Sequence, residues 1–232
     1  MVKVVNADYK ILSSMDGLQM LRQIEYIART CYKSEDKISD DGESAKRIVK
    51  TLVNSGHEST IEHCSVTVRL TCDVGFYKDL TRHRIASFSI ESTRYCMYAG
   101  DKFGGEISVI KPANIPEGTP EYAVWLRAQQ EVENAYKELA AMGARPDVCR
   151  MLLTHSTKAD VNITANLREW RHIFQLRTST FAHPSLWTLL TPLLREFRRN
   201  IPVIFDDIDG PDMEKIPDWG KAEIERIEAA HI

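Results

Sequence analysis

The sequence predicts an α+β fold: one main domain in which a mostly antiparallel sheet is packed by helices. Three observations lead there. From Cys64 to Val74 the residues alternate, with Val66, Val68, Leu70, Cys72 and Val74 against Thr67, Arg69, Thr71 and Asp73, the period of a half-buried strand. Several longer stretches carry apolar residues at helical spacing between capping residues. Strands and helices do not follow the regular βαβ order of a parallel sheet.

In chain order, a short apolar strand comes first. Ser14 to Tyr32 follows as an amphipathic helix, with Leu18, Leu21, Ile24 and Ala28 at helical spacing, and a polar loop runs from Ser34 to Gly42. Glu43 to Ser55 reads as a second helix, closed by Gly56 as its C-cap. The Cys64–Val74 strand leads to a short helix over Phe76–Arg84, and weaker strands are read at Tyr95–Tyr98 and Glu106–Ile110. Thr119-Pro120-Glu121 has the form of an N-cap with Pro in the first turn, opening a long helix to Met142 with Gly143 behind it. Pro146 restarts a helix through Leu153. Lys158–Thr164 reads as a strand, and Asn166–Arg177 and Ser185–Asn200 as helices. The domain is expected over residues 1–205, with 206–232, Pro-rich and then charged, as a peripheral tail.

Composition narrows the function classes. Hydrophobic residues make up 43% and charged residues 27% of the 232 positions, ordinary for a folded soluble chain. A net charge of −3 gives no global pull toward nucleic acid or an anionic membrane, so binding of a phosphate needs a local basic cluster. The five cysteines (Cys31, Cys64, Cys72, Cys96, Cys149) have no C-x-x-C spacing and read as buried, reduced thiols rather than disulfides or zinc ligands. The N-terminus lacks a signal-type apolar region and no run is long enough to span a bilayer. A cytoplasmic protein, or one of the host cytoplasm if viral, is expected. No internal repeat or low-complexity block is visible.

The densest positive chemistry is Arg82-His83-Arg84, followed by Ile85-Ala86-Ser87-Phe88-Ser89-Ile90-Glu91-Ser92-Thr93-Arg94-Tyr95. Guanidinium groups supply planar bidentate donors and hydroxyls fill the remaining acceptor sites, the mixture a phosphate needs. A basic surface turn with a solvated Ser/Thr loop is the competing reading of the same residues. Upstream, Gly56-His57-Glu58-Ser59-Thr60-Ile61-Glu62-His63 places a hydroxyl after a capped helix. His57 and His63 are not spaced as the i, i+4 pair of a helical metal site, so no metal is expected.

A third segment is Asn166-Leu167-Arg168-Glu169-Trp170-Arg171-His172-Ile173-Phe174-Gln175-Leu176-Arg177. Asn166 and Arg177 are about three helical turns apart and fall on nearly one face with Trp170 and Ile173. Arg168, Arg171, His172 and Gln175 then cluster opposite. An arginine in an apolar stripe is unusual, because an unpaired buried charge is costly; a snorkelling side chain or a structural ion pair explains Arg177 equally at this point.

Arg-His-Arg, seven residues and Ser, followed by Thr-Arg-Tyr, resembles the signature motif of the flavin-dependent thymidylate synthases. The Gly-His…Glu-His and Asn-x-Arg segments resemble the same family, in the right order over roughly residues 56–200. The resemblance implies that family's fold and a methyltransferase converting dUMP to dTMP, with 5,10-methylenetetrahydrofolate as carbon donor and NADPH-reduced FAD as hydride source. It implies that Ser59, Arg82, His83, Arg84, Asn166, Arg168 and His172 serve the FAD. Asp79, Arg82, Ile90, Glu91, Ser92, Thr93, Arg94, Arg150 and Arg177 would bind dUMP, with Arg177 on the uracil edge as the catalytic residue. A homotetramer sharing FAD between subunits is implied too, and it agrees with Arg168 and His172 pointing away from the Arg177 face. The sequence departs from the family at Ile90, where Glu or Gln is usual, and at Asp79, where Gln or Glu is expected.

Two other classes compete. Cys149, beside Arg150, is the one candidate for the cysteine nucleophile of a conventional thymidylate synthase, although its apolar neighbours Val148, Met151 and Leu152 suit a core thiol. A nucleotide- or RNA-binding module without catalysis lacks both a basic global charge and a binding motif.

Overall fold

The computed structural model describes residues 1–100 and 104–231. At its centre is a four-stranded antiparallel sheet in the order β2 (Asp8–Ile11), β3 (Ser65–Asp73), β6 (Lys158–Asn166), β4 (Ala86–Ile90). The alternation read in β3 is realised: Val66, Val68, Leu70 and Cys72 are buried, and they meet Ala159, Val161, Ile163 and Ala165 of β6 on the same face. The opposite face is polar, with Thr67 and Thr164 hydroxyls 2.9 Å apart and Arg69 Nη2 2.6 Å from Asp160 Oδ2. One face buried and one open is the arrangement that period-2 patterning demands.

Helices cover the apolar face. α1 (Gly17–Thr30) and α2 (Glu43–Asn54) contribute Leu21, Ile24, Ala45 and Val49, and α6 (Leu167–Arg177) and α7 (Pro184–Asn200) contribute Trp170, Phe174, Leu190 and Phe197. Trp170, Phe174, Phe197 and Phe205 form an aromatic knot with ring centroids 5.1–5.8 Å apart. Capping explains where these helices begin: Asp16, Asp73, Thr119 and Asn166 each accept from a backbone N–H three residues on. Gly56 takes φ +70° after α2, and the His57 N–H returns to Leu52 O at 2.9 Å, closing the helix as expected.

A smaller layer joins β1 (Lys3–Val5) and β5 (Ser108–Ile110) in parallel and packs them on α4 (Pro120–Ala141). Tyr136 and Cys149 are fully buried there, Cys149 in the short helix α5 (Pro146–Cys149) that continues as one 3-10 turn to Leu152. The described cysteines are free thiols; Cys64, Cys72 and Cys149 are buried, whereas Cys31 is exposed, contrary to expectation, because it stands just past α1 on its outer face. No helix among the described residues is long and apolar enough to cross a membrane.

Four differences from the sequence reading matter. The Ser/Thr-rich segment after Arg84 is the strand β4, with Ala86, Phe88 and Ile90 against the core and Ser87 and Ser89 outward. Tyr95–Tyr98 is turn rather than strand. The opening apolar segment is two strands in two different sheets. The segment from 206 to 231, expected as a peripheral tail, carries α8 (Asp218–Ala229), which packs on α7, and Ile208, Ile224 and Ile227 are buried.

Candidate active site

The site begins where β3 ends. Asp73 caps α3 (Val74–Leu80), and the turn after it carries Arg82-His83-Arg84 toward the start of β4. Arg82 and Arg84 are exposed and hold no ion pair among the described residues. His83 turns inward and is 4% exposed. Its ring lies 5.3 Å from that of His172, edge to face, and its Nδ1 stands 3.2 Å from Glu169 Oε1.

Arg177, at the last turn of α6, donates from Nε to His83 Nε2 at 3.0 Å and from Nη2 to the Asp79 carbonyl at 3.0 Å. One edge of the guanidinium is therefore engaged by protein. The Nη1–Nη2 edge has no partner among the described residues. Burial, reinforced by the Arg177 charge and then by His172, pushes the His83 pKa down to about 4, so the imidazole is neutral near pH 7. Burial pushes the Glu169 carboxyl up.

Asn166 is the N-cap of α6, its Oδ1 accepting from Glu169 N at 2.8 Å. Eleven helical residues at about 1.5 Å each put Asn166 and Arg177 roughly 16 Å apart, at opposite ends of the helix. That is the expected three turns; what is corrected is Arg171, placed opposite the apolar face by the sequence reading but buried in the apolar body of α6, 3% exposed. Its Nε donates to Glu58 Oε1 at 2.9 Å, and Nη1 and Nη2 form a bidentate pair with Asp207 at 2.6 and 2.8 Å. Partners from outside the helix made that burial possible, and no helical wheel of α6 alone contains them.

The turn Glu58–His63 packs on α6, with Ser59 exposed on it. Arg168 is already engaged there, 2.6 Å from Glu62 Oε1 and 3.6 Å from Glu58 Oε2. Ser59, His172, Arg84 and the Asn166 side-chain amide keep donors unused among the described residues, a set that suits a phosphorylated, hydrogen-bonding ring cofactor.

The remaining predicted residues lie elsewhere. At about 3.3 Å per residue, the five residues of β4 hold Arg82–Arg84 and Ser92–Arg94 roughly 15 Å apart. Ile90 points its side chain at the core. Glu91 is occupied within the fold, accepting from Tyr98 Oη and Lys158 Nζ at 3.0 Å each and from Asp160 N at 3.3 Å. Ser92 and Thr93 are half-buried, and exposed Arg94 lies over the Tyr95 ring at 5.4 Å. Arg150 is exposed in the turn after α5. Cys149 is fully buried, with its Sγ 3.7 Å from Ala144 O, so it offers no accessible nucleophile.

The sequence reading missed a cavity of about 440 Å³ between α3, the 110–115 loop and the start of α7. Lys78, Trp125, His155 and His183 line it, and of the predicted residues only Asp79 reaches it. It also missed Glu169, whose one available signal was a carboxylate in the first turn of a helix rich in arginine and histidine.

The model of the family described as thymidylate synthase complementing protein matches residues 11–203. The chain belongs to that family. Relatives in it include the flavin-dependent thymidylate synthase of Geobacter sulfurreducens, 30% identical over 213 residues, 86% of this chain and 89% of the relative. That of Pyrococcus furiosus is 26% identical over 200 residues, 86% and 80% of the two chains. A crystal structure of a UMP/dUMP methylase PolB from Streptomyces cacaoi bound with 5-Br dUMP matches with a TM-score of 0.71 and 21% identity, over 88% of this chain and 96% of that one, and shows the family fold. The family match stops before Asp207, Ile208 and α8, although all three pack on the matched region.

Proposed function

We propose that this chain methylates dUMP at C5 to give dTMP, with 5,10-methylenetetrahydrofolate as the carbon donor and NADPH-reduced FAD as the hydride source. The observation that carries the reading is Arg177, held along one edge by a neutral histidine and a backbone carbonyl, with two parallel N–H donors left for a planar ligand. The uracil C5 is a poor nucleophile until electron density is pushed into the ring. Arg177 against the N3/O2 edge stabilises the anionic form of the base, and a fixed donor does so without reorganising during the reaction. FAD, when bound, supplies redox chemistry that no amino-acid side chain can. Ser59, Arg84, Asn166, Arg168 and His172 would hold it and Arg82 would touch both ligands, whereas His83, expected to contact the flavin, is buried with both ring nitrogens engaged and serves the site through Arg177.

Arg94 and Arg150, with Ser92, Thr93 and backbone N–H groups of the Ile90–Glu91 segment, hold the dUMP phosphate, and Asp79 faces the nucleoside. The extended β4 between Arg84 and Ser92 supports a shared site: one chain does not close both clusters round one small ligand. In the cytoplasmic homotetramer that the family resemblance implies, Ser92–Arg94 of one subunit completes the pocket of another.

The test is conversion of dUMP to dTMP by the purified chain, with FAD, NADPH and methylenetetrahydrofolate each omitted in turn. Omission of NADPH or methylenetetrahydrofolate, or removal of the bound flavin before the assay, abolishes the product. Arg177→Ala lowers kcat by on the order of 10²–10³ while the flavin spectrum persists; a fully active variant refutes the role.

A further inference from the structure

We propose that Glu169 is a positioning residue for Arg177: it holds His83 in the one tautomer that can anchor the guanidinium. One proton in this cluster is fixed by chemistry, that on Arg177 Nε. Arg177 Nε is protonated at any ordinary pH and faces His83 Nε2 at 3.0 Å, so Nε2 must present its lone pair. A neutral imidazole then carries its proton on Nδ1, and Nδ1 faces Glu169 Oε1 at 3.2 Å. The reversed tautomer sets two donors against each other at Nε2 and two acceptors at Nδ1, losing both bonds at once. Three groups therefore share one protonation pattern, and its end point is the orientation of Arg177.

Other roles for Glu169 fit less well. Its carboxylate makes no side-chain hydrogen bond among the described residues other than that to His83. It is not half of a conventional ion pair, because burial and the Arg177 charge keep His83 uncharged. Its own backbone is held at the first helical turn by the Asn166 cap, and it is 7% exposed. A buried carboxylate with one partner is costly unless that partner needs it. Glu169 touches neither proposed ligand; it acts through His83. The same logic orients metal-bound histidines through a carboxylate behind the ring, here with a guanidinium in the metal's place.

The activity arm of the test rests on the role proposed above for Arg177; the spectroscopic arm does not. In ¹⁵N-histidine-labelled full-length protein, with the His83 signal assigned by His83→Gln, the ring is expected neutral with Nδ1 protonated. Glu169→Gln keeps an acceptor for Nδ1–H, retains that tautomer and holds kcat within about threefold of the parent. Glu169→Leu removes the acceptor, shifts the ring toward Nε2–H and lowers kcat by on the order of 10²-fold, with the KM for dUMP changed less than kcat. A parent ring protonated on Nε2 overturns the proposal. So does a Glu169→Leu variant within twofold of parental kcat, or a Gln variant that falls as far as the Leu variant. If the parent converts no dUMP, the functional reading fails and the tautomer alone decides this one. If Glu169→Leu does not fold, the tautomer in the parent and in Glu169→Gln decides it.

Discussion

Removing Asp207 tests whether the C-terminal segment is part of the scaffold beneath the site. Arg171 is the buried charge of α6, and Asp207 supplies two of its hydrogen bonds while Glu58 and the Ile204 carbonyl supply the rest. Breaking a buried pair by deleting one partner costs about 3–5 kcal/mol. The Asp207 side chain is 48% exposed and Glu58 stays in place, which reduces the expected loss for Asp207→Ala to about 2–3 kcal/mol. Unfolding entropy of about 2.1 cal/mol/K per residue over 232 residues is about 0.5 kcal/mol/K, so the midpoint falls by about 4–6 °C. Scanning calorimetry at one fixed protein concentration measures it, since assembly makes the midpoint concentration-dependent. Arg171→Met, which removes the buried charge and keeps much of the volume, is expected to lose less than Asp207→Ala. The gap between parent and Asp207→Ala should also narrow in acid. Hydrogen bonding to Arg171 holds the Asp207 carboxyl below its usual range, so its contribution is present above the unfolded pKa and is lost as pH falls through the folded one. An Asp207→Ala midpoint within 1 °C of the parent, as an order of resolution for ~0.5 kcal/mol, refutes the reasoning.

Two further outcomes rest on other contacts. His83 takes up a proton near pH 6.5 when unfolded and only near pH 4 when folded, facing Glu169, His172 and Arg177; stability therefore falls as pH drops through that window, by about 3 kcal/mol in all, and denaturant titrations of the parent against His83→Gln should show the difference between pH 7 and 4. Gly17→Ala would place a Cβ 2.0 Å from the Asn200 carbonyl and 2.8 Å from Pro202 Cδ, forcing α1 away from the end of α7. A loss of about 1–3 kcal/mol is expected in chemical denaturation, and an unchanged midpoint contradicts that close approach.

Much of the fold was legible because the relevant signals are local. The alternation in β3, the Thr119-Pro120 start of α4, Gly56 behind α2 and the Asn166 cap of α6 each depend on a few neighbouring residues. β4 carried a local signal too, Ala86, Phe88 and Ile90 alternating with Ser87 and Ser89, but the hydroxyls were read as ligand donors rather than as the outward face of a strand. Glu91 has a carboxylate suited to a ligand, yet Lys158, 67 positions along the chain, has taken it.

The sequence by itself determined the helices, the long strands β3 and β6, their order, and the three segments whose residue types resemble one family. Only the tertiary structure decided what those residues do for one another. Arg171 is buried because Glu58, 113 positions away, and Asp207, 36 away, reach it from outside its helix. Arg177 is anchored because His83, 94 positions away, faces it with Nε2, and the Nδ1 of that ring faces the carboxylate of Glu169, 86 positions from it. Periodicity reports which face of an element is apolar. The protonation and pairing of a charge depend on groups brought close in space, and separation along the chain says nothing of that distance.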